Sequence, residues 1–165
     1  MRVEWRVQAK LTAFGLVVFI VLFLQLLFGA YTAGLNAGYV SNTWPLMNGS
    51  LIPSVLVWTD DLWSKLNNDH YMIHFIHRWW AWVAVAFLIV LARRIRTQSK
   101  KASIAIHSAF GVQILLGIAT VMTSVNIHFA VLHQAVGALV VISTTWGVHL
   151  LGRYTADVSN NISPK

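Results

Sequence analysis

Four long apolar stretches in a chain of 165 residues leave few choices of fold. They run from about Leu11 to Leu35, Tyr71 to Ala92, Ala102 to Thr123 and His128 to Leu151. Each is near or beyond the roughly 18 to 20 residues that a spanning helix needs. Inside lipid a backbone must satisfy its own N–H and C=O groups, which a helix does within one segment. With 57% hydrophobic and only 10% charged residues, the length leaves room for one bundle and little else. The expected fold is therefore an all-α membrane protein, a single four-helix transmembrane domain over residues 1–165.

Orientation follows from the cations, because Lys and Arg near span ends stay on the cytoplasmic side. Arg2, Arg6 and Lys10 precede the first span, and Arg93, Arg94, Arg96, Lys100 and Lys101 join the second to the third. Arg153 and Lys165 follow the fourth. The other side has Lys65 alone among Asp60, Asp61 and Asp69. Both termini are expected inside. The net charge of +7 is a by-product of this bias; basic patches facing anionic lipid account for it, and nucleic acid is not needed to explain it. The first span has the basic start of a secretory signal, but its apolar core exceeds the roughly 7 to 15 residues of a signal, so it is read as an anchor. The absence of cysteine removes disulfides, thiolate ligands and iron–sulfur clusters.

An internal echo divides the chain. The first span carries Gln25-Leu26-Leu27-Phe28-Gly29 and the third Gln113-Ile114-Leu115-Leu116-Gly117, with Gln and Gly four apart and so on one helix face. Each is followed by a returning span with a histidine near its outer end. The bundle is thus expected to be two helix hairpins, as in membrane proteins built from repeats. Their outer connections differ: residues 36–70 in the first, and only about Ser124 to Ile127 in the second. Connections so long tend to be functional, and 36–70 is read as a lid over the outer end. Val55 to Asn68 sets Val55, Leu56, Trp58, Leu62, Trp63 and Leu66 among charged residues, which suits a helix lying in the interface. An aromatic belt that only anchors the protein is the other reading.

Histidines carry the functional signal, since an ionisable or metal-binding side chain within the bilayer is costly. If the second span begins near Tyr71 and the fourth near His128, His77 and His133 lie at roughly 9 Å and 7.5 Å of depth. Imidazole is a good ligand for iron, and two from neighbouring helices make a closed, six-coordinate b-type haem site. Ala81, Ala84 and Gly137 keep those helix faces low enough for a flat macrocycle. His74 and His128 lie one step outward, as a shallower layer that binds propionates, substrate or a second metal, or is merely wet. Arg78 either pairs with haem propionates or snorkels to the interface. His107 and His149, toward the inner ends, are candidates for an inner haem.

Three segments together resemble one family. Asn42-Thr43-Trp44-Pro45-Leu46-Met47 after the first span, His77-Arg78 in the second, and His128-Phe129-Ala130-Val131-Leu132-His133-Gln134 opening the fourth are similar to the haem A synthase family. The likeness is to the carboxyl-terminal half of its eight-span members and runs from about Leu24 to Arg153. It implies work in cytochrome oxidase assembly, where the C8 methyl group of haem O is oxidised to the formyl group of haem A with electrons from a partner. It also implies that His77 and His133 match the histidine pair that holds a b haem, while the amino-terminal half receives the substrate haem. That other half has a glutamate three residues before its span-two histidine. Here His74 stands in that place, so no catalytic residue is assigned to this chain. The resemblance implies a partner, either a second four-helix half or another copy in a homo-oligomer, in the inner membrane of a bacterium or a mitochondrion. A small b-type cytochrome passing electrons to quinone or a partner subunit is the alternative reading, with His107 and His149 as its signature. A factor that binds haem and hands it on is a third.

The charge asymmetry generates a test. Single cysteines placed at Ser50 and Ser99 are expected to react with an impermeant reagent from opposite sides of the membrane. Labelling of both from one side would overturn the four-span topology.

Overall fold

The computed structural model describes residues 8–56 and 61–162. Arg2, Arg6, Trp58, Asp60 and Lys165 of the sequence argument lie outside them. Five α-helices and one short 3-10 turn follow in order: α1 Ala13–Gly34, the turn Ala37–Val40, α2 Leu62–Asn68, α3 His70–Arg94, α4 Lys100–Met122 and α5 Ile127–Ile162. Helices α1, α3, α4 and α5 are long and apolar enough to cross a membrane. No strand occurs among the described residues; an isolated bridge pairs Met47 with Ser50.

Local chemistry starts each span where the sequence changes character. The Thr12 side chain accepts from the Gly15 N–H, Ser99 accepts from Ala102, and Asp69 accepts from both Tyr71 and Met72. Asn126 Oδ1 accepts from the His128 N–H at 3.0 Å. Each cap satisfies donors that a helix start leaves without an intrahelical partner. Two of the expected boundaries need correction. Helix α5 runs eleven residues beyond Leu151, and a Cβ on Gly152 would collide with the Lys10 main chain. Of the interfacial helix expected over 55–68, Leu62–Asn68 is helical and Val55, Leu56 and Asp61 are not, the residues between lying outside the described ones. The Asp61 side chain caps α2 by accepting from the Ser64 N–H at 3.0 Å.

The bundle pairs as two hairpins, α1 with α3 and α4 with α5. In the first, the Trp80 indole N–H donates to the Val21 carbonyl at 3.0 Å, and the Phe28 ring meets Trp80 edge-on at 5.9 Å. In the second, Gly147 makes room for Ile106, Ile95 and Leu91. The hydrophobic core sits at the end of the bundle bearing the basic residues, built from Val18, Leu22, Leu91, Ile95, Ile106 and Val148 among others. The opposite end, which carries His77 and His133, is packed differently. Helix α4 has no buried residue after Ile106, and α5 has none before Gly137. At that end Met72, Ile73 and His74 of α3 are buried, and the turn Ala37–Val40 and α2 pack against α3.

Candidate functional site

His77 leaves α3 toward α1 and fits a notch made by a missing side chain. A Cβ on Gly29 would stand 2.9 Å from His77 Cε1. One turn before Gly29, the Gln25 side-chain nitrogen lies 3.2 Å from His77 Nδ1. The second hairpin repeats the arrangement with different residues. A Cβ on Gly117 would stand 3.0 Å from His133 Cε1, and Gln113 Nε2 lies 3.3 Å from His133 Nε2. His133 Nδ1 is 3.1 Å from the Gln113 main-chain oxygen. Each ring is therefore a polar group lodged in an apolar helix pair, wedged by a glycine and tied by a glutamine.

The sequence echo of Gln and Gly four residues apart was the signal for these notches, although the echo alone did not connect them to the histidines. A Cβ on Gly137 would stand 3.4 Å from Gln113 Nε2, so this small residue lies beside the glutamine amide. Ala84 is buried and Ala81 half-buried on α3.

The outer histidines do not form one layer. His74 is only 1% exposed, so it is no wet interfacial residue, and its Nδ1 has no partner. The turn Ala37–Val40 and α2 lie over the start of α3, which explains its burial. His128, by contrast, is exposed. His107 lies on the outside of α4, with Nδ1 2.8 Å from its own helix at the Ser103 oxygen and its ring beside Phe110. His149 is also exposed.

Arg78 reaches out of the membrane span into the Asn42–Met47 segment. Its Nη2 donates to the carbonyls of Thr43 at 3.0 Å, Pro45 at 3.1 Å and Leu46 at 3.5 Å, and its guanidinium lies 5.1 Å from the Trp44 ring centre. Trp44 in turn stacks with Trp82, one turn further along α3. The Thr43 hydroxyl also donates to the Leu46 carbonyl and accepts from the Asn48 N–H, both at 2.8 Å, so the segment is a closed knot. Arg78 Nη1 is buried and has no partner.

A family model described as cytochrome oxidase assembly protein matches residues 2–145. The chain belongs to that family. Relatives include the haem A synthase of Erythrobacter litoralis, 51% identical over 144 residues that cover 87% of this chain and 42% of that protein. The haem A synthase of Novosphingobium aromaticivorans is 49% identical over 152 residues, covering 88% of this chain and 43% of its own length. That of Sphingopyxis alaskensis is 45% identical over 149 residues, covering 90% and 42%. The chain thus spans about two fifths of the length of these curated relatives. No solved structure matches it. For a cytochrome oxidase assembly protein, a site that could serve haem is the relevant one to test against the geometry.

The residues fit such a group. No cluster of three or more His, Cys, Asp or Glu occurs among the described residues, so side chains alone do not build a metal site. A porphyrin brings four nitrogens of its own and needs only two axial imidazoles. Around the two rings, Gln25 Oε1, Gln113 Oε1 and Arg78 Nη1 are buried polar atoms without partners, and such atoms ordinarily have one.

The Arg78 clamp can be tested apart from any ligand. Arg78→Lys keeps the charge but loses the planar fork that spans several carbonyls. Losing hydrogen bonds from a charged group costs about 1.5–3 kcal/mol, and each 1.4 kcal/mol is about tenfold in an equilibrium. Proteolysis within 42–56 of the membrane-embedded protein is therefore expected to quicken by about tenfold or more. An unchanged cleavage rate would mean that the segment is held by other contacts.

Proposed function

We propose that this chain is the b-haem-binding four-helix half of a haem A synthase, serving the oxidation of haem O to haem A for cytochrome oxidase assembly. The observation that carries the reading is the matched pair of notches: His77 and His133, on different hairpins, are each wedged by a glycine and tied by a glutamine of the facing helix. His77 and His133 are the iron ligands in this reading. A haem held by two imidazoles supplies one-electron transfer at a closed, six-coordinate iron. The chain's own residues bind and orient it: the glycines admit the rings, the glutamines hold them, and Arg78 Nη1 is the buried donor available to a propionate. His74 and His128 are secondary candidates for contact with haem or substrate, His74 from a buried place and His128 from an exposed one.

The rest of the proposal follows from the family. Residues 1–165 act as one four-helix unit with 36–70 as its outer lid, both termini on the cytoplasmic side of a bacterial inner membrane, and lipid around the bundle. The large apolar side chains exposed on α4 and α5, such as Leu115, Leu132, Leu139 and Ile142, suit lipid or a second four-helix half. Electrons come from a donor outside the chain.

His77→Ala and His133→Ala are each expected to abolish the low-spin haem spectrum of the purified protein, since each removes one axial ligand. His107→Ala should leave the spectrum intact. A normal bis-histidine spectrum in both His77→Ala and His133→Ala would refute the assignment.

Helix α3 contains no acidic residue, and His74 stands where the substrate-handling half is expected to have a glutamate. An imidazole is a poor substitute for a carboxylate that stabilises a developing cation. The chain expressed by itself should therefore bind haem yet yield no haem A on pigment extraction and chromatography. Co-expression with a glutamate-bearing four-helix half should restore product. Haem A made by the isolated chain would show that the carboxylate is dispensable.

A further inference from the structure

We propose that a groove on the exposed face of α4, at the basic end of the bundle, binds one anionic phospholipid from the leaflet that the charge rule places on the cytoplasmic side. The inference stands apart from the haem reading and involves none of the residues which that reading uses.

The groove has a volume of about 390 Å3 and is lined by Arg96, Lys100, Ser103, Ile104, His107 and Ser108. Arg96 comes from the turn between α3 and α4. On α4, residues 100, 104, 107 and 108 recur at the spacing of one helix face. The order along that face is the order of a phospholipid. Arg96 and Lys100 stand exposed at the rim, and neither has a carboxylate partner among the described residues. Arg94, by contrast, lies over the Phe14 ring. About two turns deeper, roughly 10 to 12 Å along the helix at 1.5 Å per residue, come His107 and the Ser108 hydroxyl, both exposed. A glycerol ester presents carbonyl oxygens below its phosphate, and a hydroxyl donates to them. The His107 ring does not swing freely: its Nδ1 is 2.8 Å from the Ser103 main-chain oxygen and its face lies beside Phe110, so it forms a fixed wall.

The deepest part carries an independent sign of an occupant. Gly111 continues the same face, three residues after Ser108, and a Cβ there would meet no atom within 4 Å. Glycine in a helix interior is less stable than alanine, and no packing within the bundle requires it here. Gly29, Gly117 and Gly147 differ, each pressed by a side chain of a neighbouring helix. The missing side chain lengthens the groove toward Leu115, which is 67% exposed, and gives an acyl chain a trough to lie in. Charge selects the lipid. Two cations and no carboxylate in the lining favour a headgroup of net negative charge over a zwitterionic one, and a juxtamembrane cation near anionic lipid gains about fivefold. Free phosphate shares the cation chemistry but has nothing to lay in the trough.

The test uses the full chain, purified in mild detergent and titrated with phosphatidylglycerol or phosphatidylcholine, with bound lipid counted by native mass spectrometry. One phosphatidylglycerol is expected to bind about tenfold or more tighter than phosphatidylcholine. Equimolar inorganic phosphate should leave it in place; displacement would mark a plain anion site and overturn the lipid. Arg96→Gln combined with Lys100→Gln should weaken phosphatidylglycerol binding by about tenfold or more. Arg93→Gln combined with Lys101→Gln removes two exposed charges at the same end but outside the groove, and should weaken it much less. Gly111→Leu alters no charge and should weaken binding by filling the trough while thermal unfolding stays at the wild-type temperature. Equal losses in the two double variants, or wild-type binding in Gly111→Leu, would overturn the inference in favour of a diffuse attraction. A photoreactive benzoylphenylalanine in place of Ile104 separates lipid from protein in native membranes. Cross-links to lipid are expected, and cross-links to a polypeptide would show another helix on this face and sink the proposal.

Discussion

The contact on which the architecture turns is an imidazole pressed against a glycine of the neighbouring helix. A histidine ring between two apolar helices forces them apart unless one backbone gives way, and it leaves two polar nitrogens away from water. Gly29 and Gly117 meet the first demand, Gln25 and Gln113 the second. Close approach then brings the rest of the hairpin into register. At the first notch, Trp80 lies one turn beyond His77 and donates to the Val21 carbonyl, one turn before Gln25. The tilt of α3 on α1 is fixed on both sides of the ring.

Packing is distributed along the bundle in a way that suits this site. Leu91, Ile95, Ile106 and Val148 close one end into a core, and Arg94 covers Phe14 beside it with its guanidinium 4.1 Å from the ring centre. The other end has buried polar atoms that are partly unmet, Gln25 Oε1, Gln113 Oε1 and Arg78 Nη1 among them. The Asn42–Met47 knot is joined to that end both by polar contacts, Arg78 donating to its main-chain carbonyls, and by packing of Trp44 on Trp82.

Much of this was legible in the sequence, and the parts that were not share a cause. Apolar run length placed the four spans to within a few residues, because the bilayer imposes a length on each helix. Helix α5 continues past the apolar run, since hydropathy, which falls at Gly152-Arg153, reports the span and not the end of the helix. His77 and His133 stood out because a polar ring in an apolar run is unusual. Their partners did not, since which glycine faces which ring depends on helix rotation, and composition does not encode it. Of the two readings open for His74, the wet one fails for the same reason: its 1% exposure follows from the turn Ala37–Val40 and α2 lying over α3, a packing between segments far apart in the chain.

The two hairpins are repeats with unequal ends, and the inequality is itself held in place by strain. The tight turn between α4 and α5 puts Ser124 at φ 53° and Val125 at φ 61°, a region that a β-branched residue rarely enters. Such residues cost on the order of 1–3 kcal/mol each and persist only where their surroundings impose them. Val125 is seated against Gly38, where a Cβ would stand 2.8 Å from its Cγ2, and Asn42 donates to the Ser124 hydroxyl at 3.4 Å. Both contacts come from the long connection of the first hairpin. The connection is therefore tied at both sides: by Arg78 to the helix bearing His77, and by Gly38 and Asn42 to the turn from which the helix bearing His133 begins. A shift of one hairpin against the other would have to break one of these ties.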